Sequence, residues 1–216
     1  MAFILENYLS INKKIQENGN KTKLIAISKY HTKDSIELAI NQGIRLFGEN
    51  RVQEAYLKYQ TLKDLYPDIE LHFTGNLQTN KIKQSLKIFD YYHTLYNERQ
   101  LKEFSKFPEQ TENKKFFIQV NTGFEKTKTG LNPDDVEEFL KISKNNYKIN
   151  ILGLMCIPPI NEKPSKHFML LKNLKEKLGL KKLSMGMSAD YEEAIKCGSD
   201  YIRIGTMIFG DRNWNR

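Results

Sequence analysis

Eight times along this chain a short apolar run is followed by a segment with the apolar spacing of an amphipathic helix. The runs are Lys23–Lys29 (KLIAISK), Arg45–Gly48 (RLFG), Leu71–Gly75 (LHFTG) and Tyr91–Leu95 (YYHTL), then Lys115–Asn121 (KFFIQVN), Ile149–Ile157 (INILGLMCI), Lys182–Gly186 (KLSMG) and Tyr201–Gly210 (YIRIGTMIFG). They are rich in β-branched and aromatic residues and bounded by Gly, Asn, Pro or Asp, as strands are. Between them, Asp34–Asn41 carries Ile36, Leu38, Ala39 and Ile40 and stops at Gly43. Asn132–Asn145 opens with a cap residue, a proline in the first turn and acids at the positive helix end. Ser188–Lys196 repeats the plan, with Ser188 expected as the cap and Gly198 as the terminator.

Strands that alternate with helices imply βαβ units and a parallel sheet. Eight such units are the count of a (β/α)8 barrel of the TIM type, and that α/β fold is predicted here. The rival is an open, doubly wound sheet. Its usual GxGxxG turn after the first strand is missing, because AISKYHTKDS contains no glycine. No linker or low-complexity stretch divides the chain, so residues 1–216 read as one domain. An extra opening helix is expected where Phe3, Ile4, Tyr8, Ile11 and Ile15 fall near a helical period.

Charge narrows the function. The net charge is +8, from 34 Lys+Arg against 26 Asp+Glu. The lysines are spread over the chain and sit beside glutamates, as in LKNLKEKLGLKK, so a nucleic-acid partner is not expected. No apolar run approaches the ~20 residues of a membrane-spanning helix, and the N-terminus turns polar too soon for a signal peptide. Cys156 and Cys197 show no metal-ligand spacing and read as core thiols of a reduced, cytoplasmic protein. A monomer is expected.

In such a barrel, ligands bind where the strands end. That rule collects Ser28 and Lys29, then Gly48, Glu49 and Asn50. His72, Thr74, Asn76 and Met155 follow, and finally Gly186, Ser188, Arg203, Gly205 and Thr206. LSMGMSADYEEAI puts glycine and serine at a strand-to-helix junction, where free N–H groups favour an anion. Gly205 and Thr206 end the eighth run, and phosphate sites in these barrels are often built after strands seven and eight. Arg203 lies two residues before Gly205 and shares its side of the strand. A buried guanidinium needs an acceptor, either a carboxylate such as Glu49 or a polar ligand atom. Lys29 either snorkels to water or forms a Schiff base with a phosphorylated carbonyl compound. On the residues alone, pyridoxal phosphate and a sugar phosphate both fit.

The segments IAISKYHTKDSIELAINQGIRLFGENRVQEA, LHFTGNLQTNK, LGLMCIPP and LSMGMSADYEEAIKCGSDYIRIGTMIFGDR together resemble the pyridoxal phosphate homeostasis protein family. The resemblance implies a single barrel related to the N-terminal domain of alanine racemase, with pyridoxal 5'-phosphate (PLP) held as an internal aldimine. By match to the motifs, the aldimine lysine is Lys29, and Ser188 and the Gly205–Thr206 turn contact the phosphate. Arg203 then faces the pyridine nitrogen, and Asn50, His72 and Met155 line the pocket. Asn76 stands where the family usually has His, and Cys156 where Ala is common. A guanidinium against the pyridine nitrogen keeps it unprotonated and weakens the cofactor as an electron sink. Racemases with this arrangement use a second base from another domain, and none is expected in a chain ending at Arg216. The resemblance therefore implies a carrier that buffers PLP or delivers it to PLP-dependent apo-enzymes, with no catalytic residue. The alternatives are a single-domain amino-acid racemase and a Schiff-base enzyme acting on a sugar phosphate.

Overall fold

The computed structural model describes residues 3–19, 21–125 and 127–210. Its eight strands are β1 (Lys23–Ile27), β2 (Leu46–Glu49), β3 (Glu70–Phe73), β4 (Tyr91–Leu95), β5 (Lys115–Val120), β6 (Ile151–Cys156), β7 (Lys182–Ser184) and β8 (Tyr201–Ile204). All neighbours pair in parallel, in sequence order, and the sheet closes. Closure comes from the β1–β8 ladder, in which Lys23, Leu24, Ile25 and Ala26 lie opposite Tyr201, Ile202, Arg203 and Ile204. An open doubly wound sheet is thereby excluded.

The helices are α1 (Leu5–Glu17), α2 (Lys33–Asn41), α3 (Val52–Leu65), α4 (Ile82–Ser85), α5 (Glu98–Phe104), α6 (Pro108–Thr111), α7 (Val136–Asn145), α8 (Pro164–Lys177), α9 (Tyr191–Lys196) and α10 (Thr206–Phe209). Because successive strand residues face opposite sides, two cores form. Outward residues such as Phe47, Leu71, Tyr92, Phe116 and Leu154 pack under helix residues such as Ile36, Ile40, Ala55, Tyr59 and Phe104. Inward residues Ile25, Ile27, Phe117, Met155 and Tyr201 form the second core, in the lumen. No helix of the described residues is long and apolar enough to cross a membrane.

Three local expectations are corrected. The run Tyr201–Gly210 is not one strand: β8 ends at Ile204 and Thr206–Phe209 is helical. Contacts distant in sequence hold that turn, because the Ile4 N–H donates to the Ile208 carbonyl at 2.8 Å and Asn7 Nδ2 donates to the Met207 carbonyl at 2.6 Å. Ser188 does not cap a helix. The α9 helix starts at Tyr191, and the Asp190 carboxylate accepts the Met187 N–H at 2.6 Å, closing a turn ahead of it. Asn132 does not cap α7 either. A 3-10 turn over Pro133–Asp135 intervenes, and Asn132 instead donates to the Asp135 carboxylate at 3.4 Å.

Candidate ligand site at the carboxyl ends of the strands

Lys29 lies in the turn after β1, half-buried, between buried Ser28 and left-handed Tyr30 (φ 66°). The neighbouring helix α3 grips this turn on both sides of the lysine. Lys58 Nζ donates to the Ser28 carbonyl (3.0 Å), to Glu49 Oε1 (3.1 Å) and to Glu54 Oε1 (2.6 Å). Glu54 Oε1 in turn accepts the Tyr30 N–H at 2.7 Å. The Ser28 hydroxyl donates to Glu49 Oε1 at 2.6 Å, so Tyr59, also 2.6 Å away, supplies the hydrogen of the second contact. Glu54 lies about one helical turn before Lys58 and Tyr59, and all three reach the same strand end.

Glu49 is fully buried, and its Oε2 has no hydrogen-bond partner. Burial pushes its carboxyl up to about 7, against the opposing pull of Lys58 and Ser28. Tyr59 is raised too, first by burial and then by Glu49, so its phenol stays a donor.

Arg203, only 5% exposed, enters the lumen from β8. Its Nη1 donates to Ser184 Oγ at 2.7 Å and its Nη2 to the Cys156 carbonyl at 2.9 Å. Both acceptors are neutral. The carboxylate of Glu49, weighed as a partner from the sequence, is engaged by Lys58 and Ser28 instead. A buried cation whose direct acceptors carry no charge is expensive unless further polar groups reach it.

The loop after β7 is tied to strand β8 by the Arg203 N–H, which donates to the Gly186 carbonyl at 2.9 Å. Ser188 is half-buried in that loop, and Thr206 is exposed at the start of α10, after β8. A Cβ on Gly205 would lie 3.4 Å from the Ile27 carbonyl oxygen, so this turn abuts the end of β1 that leads into Lys29. The first N–H groups of α10 have no acceptor within the helix. Ser188 also edges a separate depression of about 510 Å³, but Asp190, Glu192 and Glu193 line it and make it a poor anion site.

On the opposite side, Asn50 is half-buried and its Oδ1 lacks a hydrogen-bond partner. Gly75 makes its placement feasible, since a Cβ there would stand 2.2 Å from the Asn50 carbonyl oxygen. Tyr30, Asn50, Arg51, Asn76, Gln78 and Lys81 help to line a hollow of about 430 Å³ at this rim. Met155 is buried in the lumen, in register with Ser184. His72 is also in the lumen, separated from Arg203 by His93 and Ser184. Sequence reasoning missed the α3 clamp, because Glu54 and Lys58 at i, i+4 read as an ordinary solvated pair. It also missed His93 and Ser184, which strand alternation places inward.

The family model for the alanine racemase N-terminal domain matches residues 2–213. The pyridoxal phosphate homeostasis protein of Aquifex aeolicus is 36% identical, over 99% of this chain and 97% of that protein. This chain belongs to the pyridoxal phosphate homeostasis protein family. The family's member in Schizosaccharomyces pombe is 37% identical over 94% of this chain and 90% of its own. Among solved structures, PipY of Synechococcus elongatus with PLP bound superposes with a TM-score of 0.81 at 30% identity, covering 95% of this chain and 99% of PipY. Alanine racemase from Corynebacterium glutamicum gives a TM-score of 0.74 at 13% identity, covering 99% of this chain and 63% of the racemase, which shows a shared fold.

Proposed function

We propose that this chain binds PLP at the carboxyl face of its barrel, holds it covalently through Lys29, and buffers or delivers it without robust catalysis. The observation that carries the reading is Arg203: a buried guanidinium on neutral acceptors, on the strand that pairs with the one leading to Lys29. The residues fit the cofactor. An unpartnered Asn50 Oδ1, a lysine held by its two backbone neighbours, and a serine and a threonine on adjacent loops suit a phosphorylated aromatic aldehyde. When bound, PLP supplies an aldehyde for amines and a ring that withdraws electrons.

The chain's own groups then divide the work. Lys29 supplies the amine, and the α3 clamp fixes the backbone from which it reaches. Ser188 and the Gly205–Thr206 turn hold the phosphate. Arg203 donates to the ring nitrogen and, having no acceptor of its own, cannot lose a proton to it or leave it protonated. That arrangement favours carriage over carbanion chemistry. Asn50 and Met155 complete the surroundings, whereas His72, expected there from the sequence, lies deeper in the lumen behind Ser184 and His93. We assign the chain to the cytoplasm as a single-domain monomer, in keeping with Cys156 and Cys197 being free thiols. The recipients are free amines or PLP-dependent apo-enzymes, served by exchange of one amine for another.

The test is borohydride reduction of the PLP-loaded protein followed by peptide mass spectrometry. A pyridoxyl phosphate adduct is expected on Lys29 and absent from Lys29→Ala. Labelling at another lysine, or none after loading, overturns the assignment. Prolonged incubation with L-amino acids and chiral chromatography tests the carrier role, and accumulation of D-isomers would refute it.

A further inference from the structure

Barrels of this kind usually fill their lumen with layers of branched aliphatic side chains. Here a polar chain crosses it instead, built from inward positions of four strands. Arg203 Nη1 lies 2.7 Å from Ser184 Oγ, Ser184 Oγ 2.8 Å from His93 Nδ1, and His93 Nε2 2.9 Å from His72 Nδ1. His72 Nε2 faces Glu70 Oε2 at 3.9 Å, beyond hydrogen-bond reach, and neither atom has a hydrogen-bond partner. Aromatic rings wall the chain. Phe117 stacks on His93 with centroids 4.6 Å apart, Tyr91 stacks on His72 at 4.2 Å, and Tyr201 sits beside both histidines.

The two ends dictate the direction of every link. Arginine only donates, so Ser184 Oγ accepts from Arg203, and its own hydrogen goes to His93 Nδ1. A neutral His93 then carries its hydrogen on Nε2 and donates to His72 Nδ1, which leaves the His72 hydrogen on Nε2, aimed at Glu70. The far end selects the same tautomer independently, because a lone pair on His72 Nε2 would face a carboxylate oxygen. The reversed chain fails twice: the hydrogen of Ser184 loses His93 as its acceptor, and two electron-rich atoms confront each other at Glu70.

We infer that Ser184, His93 and His72 are positioning residues, forming one directed hydrogen-bond chain from Arg203 to His72, with the far nitrogen of His72 turned toward Glu70, in which both histidines are neutral and carry hydrogen on Nε2. The surroundings keep them neutral. Burial, then Lys23 and Lys63, push His72 down to about 3. Burial, then His72 and Arg203, hold His93 well below the usual histidine range. Tyr91 and Tyr201 beside the histidines are raised by burial and so stay uncharged, as does the buried Cys156 thiol beside Arg203, while Asp190 faces the Arg203 end. Arg203 thus meets no second cation along the chain and keeps a fixed orientation. The consequence for a ring nitrogen above Arg203 rests on the PLP reading, whereas the chain itself stands on the protein alone.

Two-bond nitrogen–proton correlation spectra of the protein without PLP, labelled with nitrogen-15 in its 4 histidines, read both tautomer and charge. His72 and His93, assigned through His72→Gln and His93→Gln, are expected to give the neutral Nε2–H pattern, unchanged between about pH 5 and 8. In Ser184→Ala, His93 keeps His72 as the acceptor of its Nε2–H but loses the donor to its Nδ1, so the Nε2–H pattern is expected to persist while the Nδ1 resonance moves downfield to that of a nitrogen with a free lone pair. An Nδ1–H pattern or an imidazolium at either residue, or an unshifted His93 Nδ1 resonance in Ser184→Ala, overturns the inference. Failure of Lys29 to take up PLP would refute the proposed function and leave these spectra as they are, so the two readings fail separately.

Discussion

Glu49→Gln makes a sharp test of how the Lys29 turn is held. The Glu49 carboxyl is fully buried, and its value of about 7 in the fold compares with 4.5 for an ordinary glutamate. Between those values the folded chain holds a proton that the unfolded chain has released, so stability falls as pH rises from the lower to the higher. At 1.36 kcal/mol per pH unit, the contribution is about 3 kcal/mol, present in full below the unfolded value and lost above about 7. The glutamine amide of the variant cannot titrate. Relative to wild type, the variant should therefore gain about 3 kcal/mol on going from acid to mildly alkaline solution. Any loss of the Ser28 and Lys58 contacts adds a constant offset and leaves the slope alone.

The comparison has to be a difference between two proteins, because the lumen histidines bend the wild-type curve the other way. His72 is depressed to about 3, so its stabilising share is present above 6.5 and is lost as pH falls toward 3. That term is common to both chains and cancels. Urea melts of wild type and Glu49→Gln across this range supply the quantity. A stability difference that stays level with pH would refute the reasoning, and one that moves against the variant as pH rises would reverse its sign.

Other perturbations probe the same framework. Lys58→Met leaves Glu49 without its cation and frees the Ser28 carbonyl, so chemical denaturation above pH 7 should show a loss of about 3 kcal/mol. The loss should shrink in acid, where Glu49 takes up a proton. Ser188→Ala and Thr206→Val should each weaken PLP retention roughly ten- to a hundredfold, the worth of one charge-assisted hydrogen bond, measured by dialysis against absorbance. Gly75→Ala forces a methyl against the Asn50 carbonyl and should cost about 1–3 kcal/mol in a urea melt while also reducing PLP retention.

Where one strand or one helix determines its own shape, the sequence reads correctly. LIAI and FFIQV have no way to satisfy an apolar run except in a sheet, and eight repeats of strand then helix leave few ways to pair them. Lys29 and Arg203 stand out for the same local reason, as charges at or near the ends of apolar strands. GTMIFG shows the limit. Its residues favour extension, yet a hydrogen bond from Asn7, 200 positions away, helps to hold Met207 in a helical turn. Ser188 and Asp190 are both good cap residues, and the turn closed by Asp190 on Met187 determines where α9 begins.

The polar groups of the site follow a different rule. Strand alternation tells which side of the sheet His72, His93, Ser184 and Arg203 face, but a facing direction names no partner. Ser184 on β7 meets His93 on β4 only because the sheet closes and brings distant strands across one lumen. Glu54 and Lys58 likewise look like a solvated i, i+4 pair until the β1–β2 register places Ser28 and Glu49 beneath them. Arg203 has no carboxylate among its hydrogen-bond partners; closure supplies Ser184 and two histidines in line, and Asp190 ahead of α9 adds an attractive charge. The same closure that hides these partnerships from a linear reading is what allows Arg203 to remain charged inside the barrel.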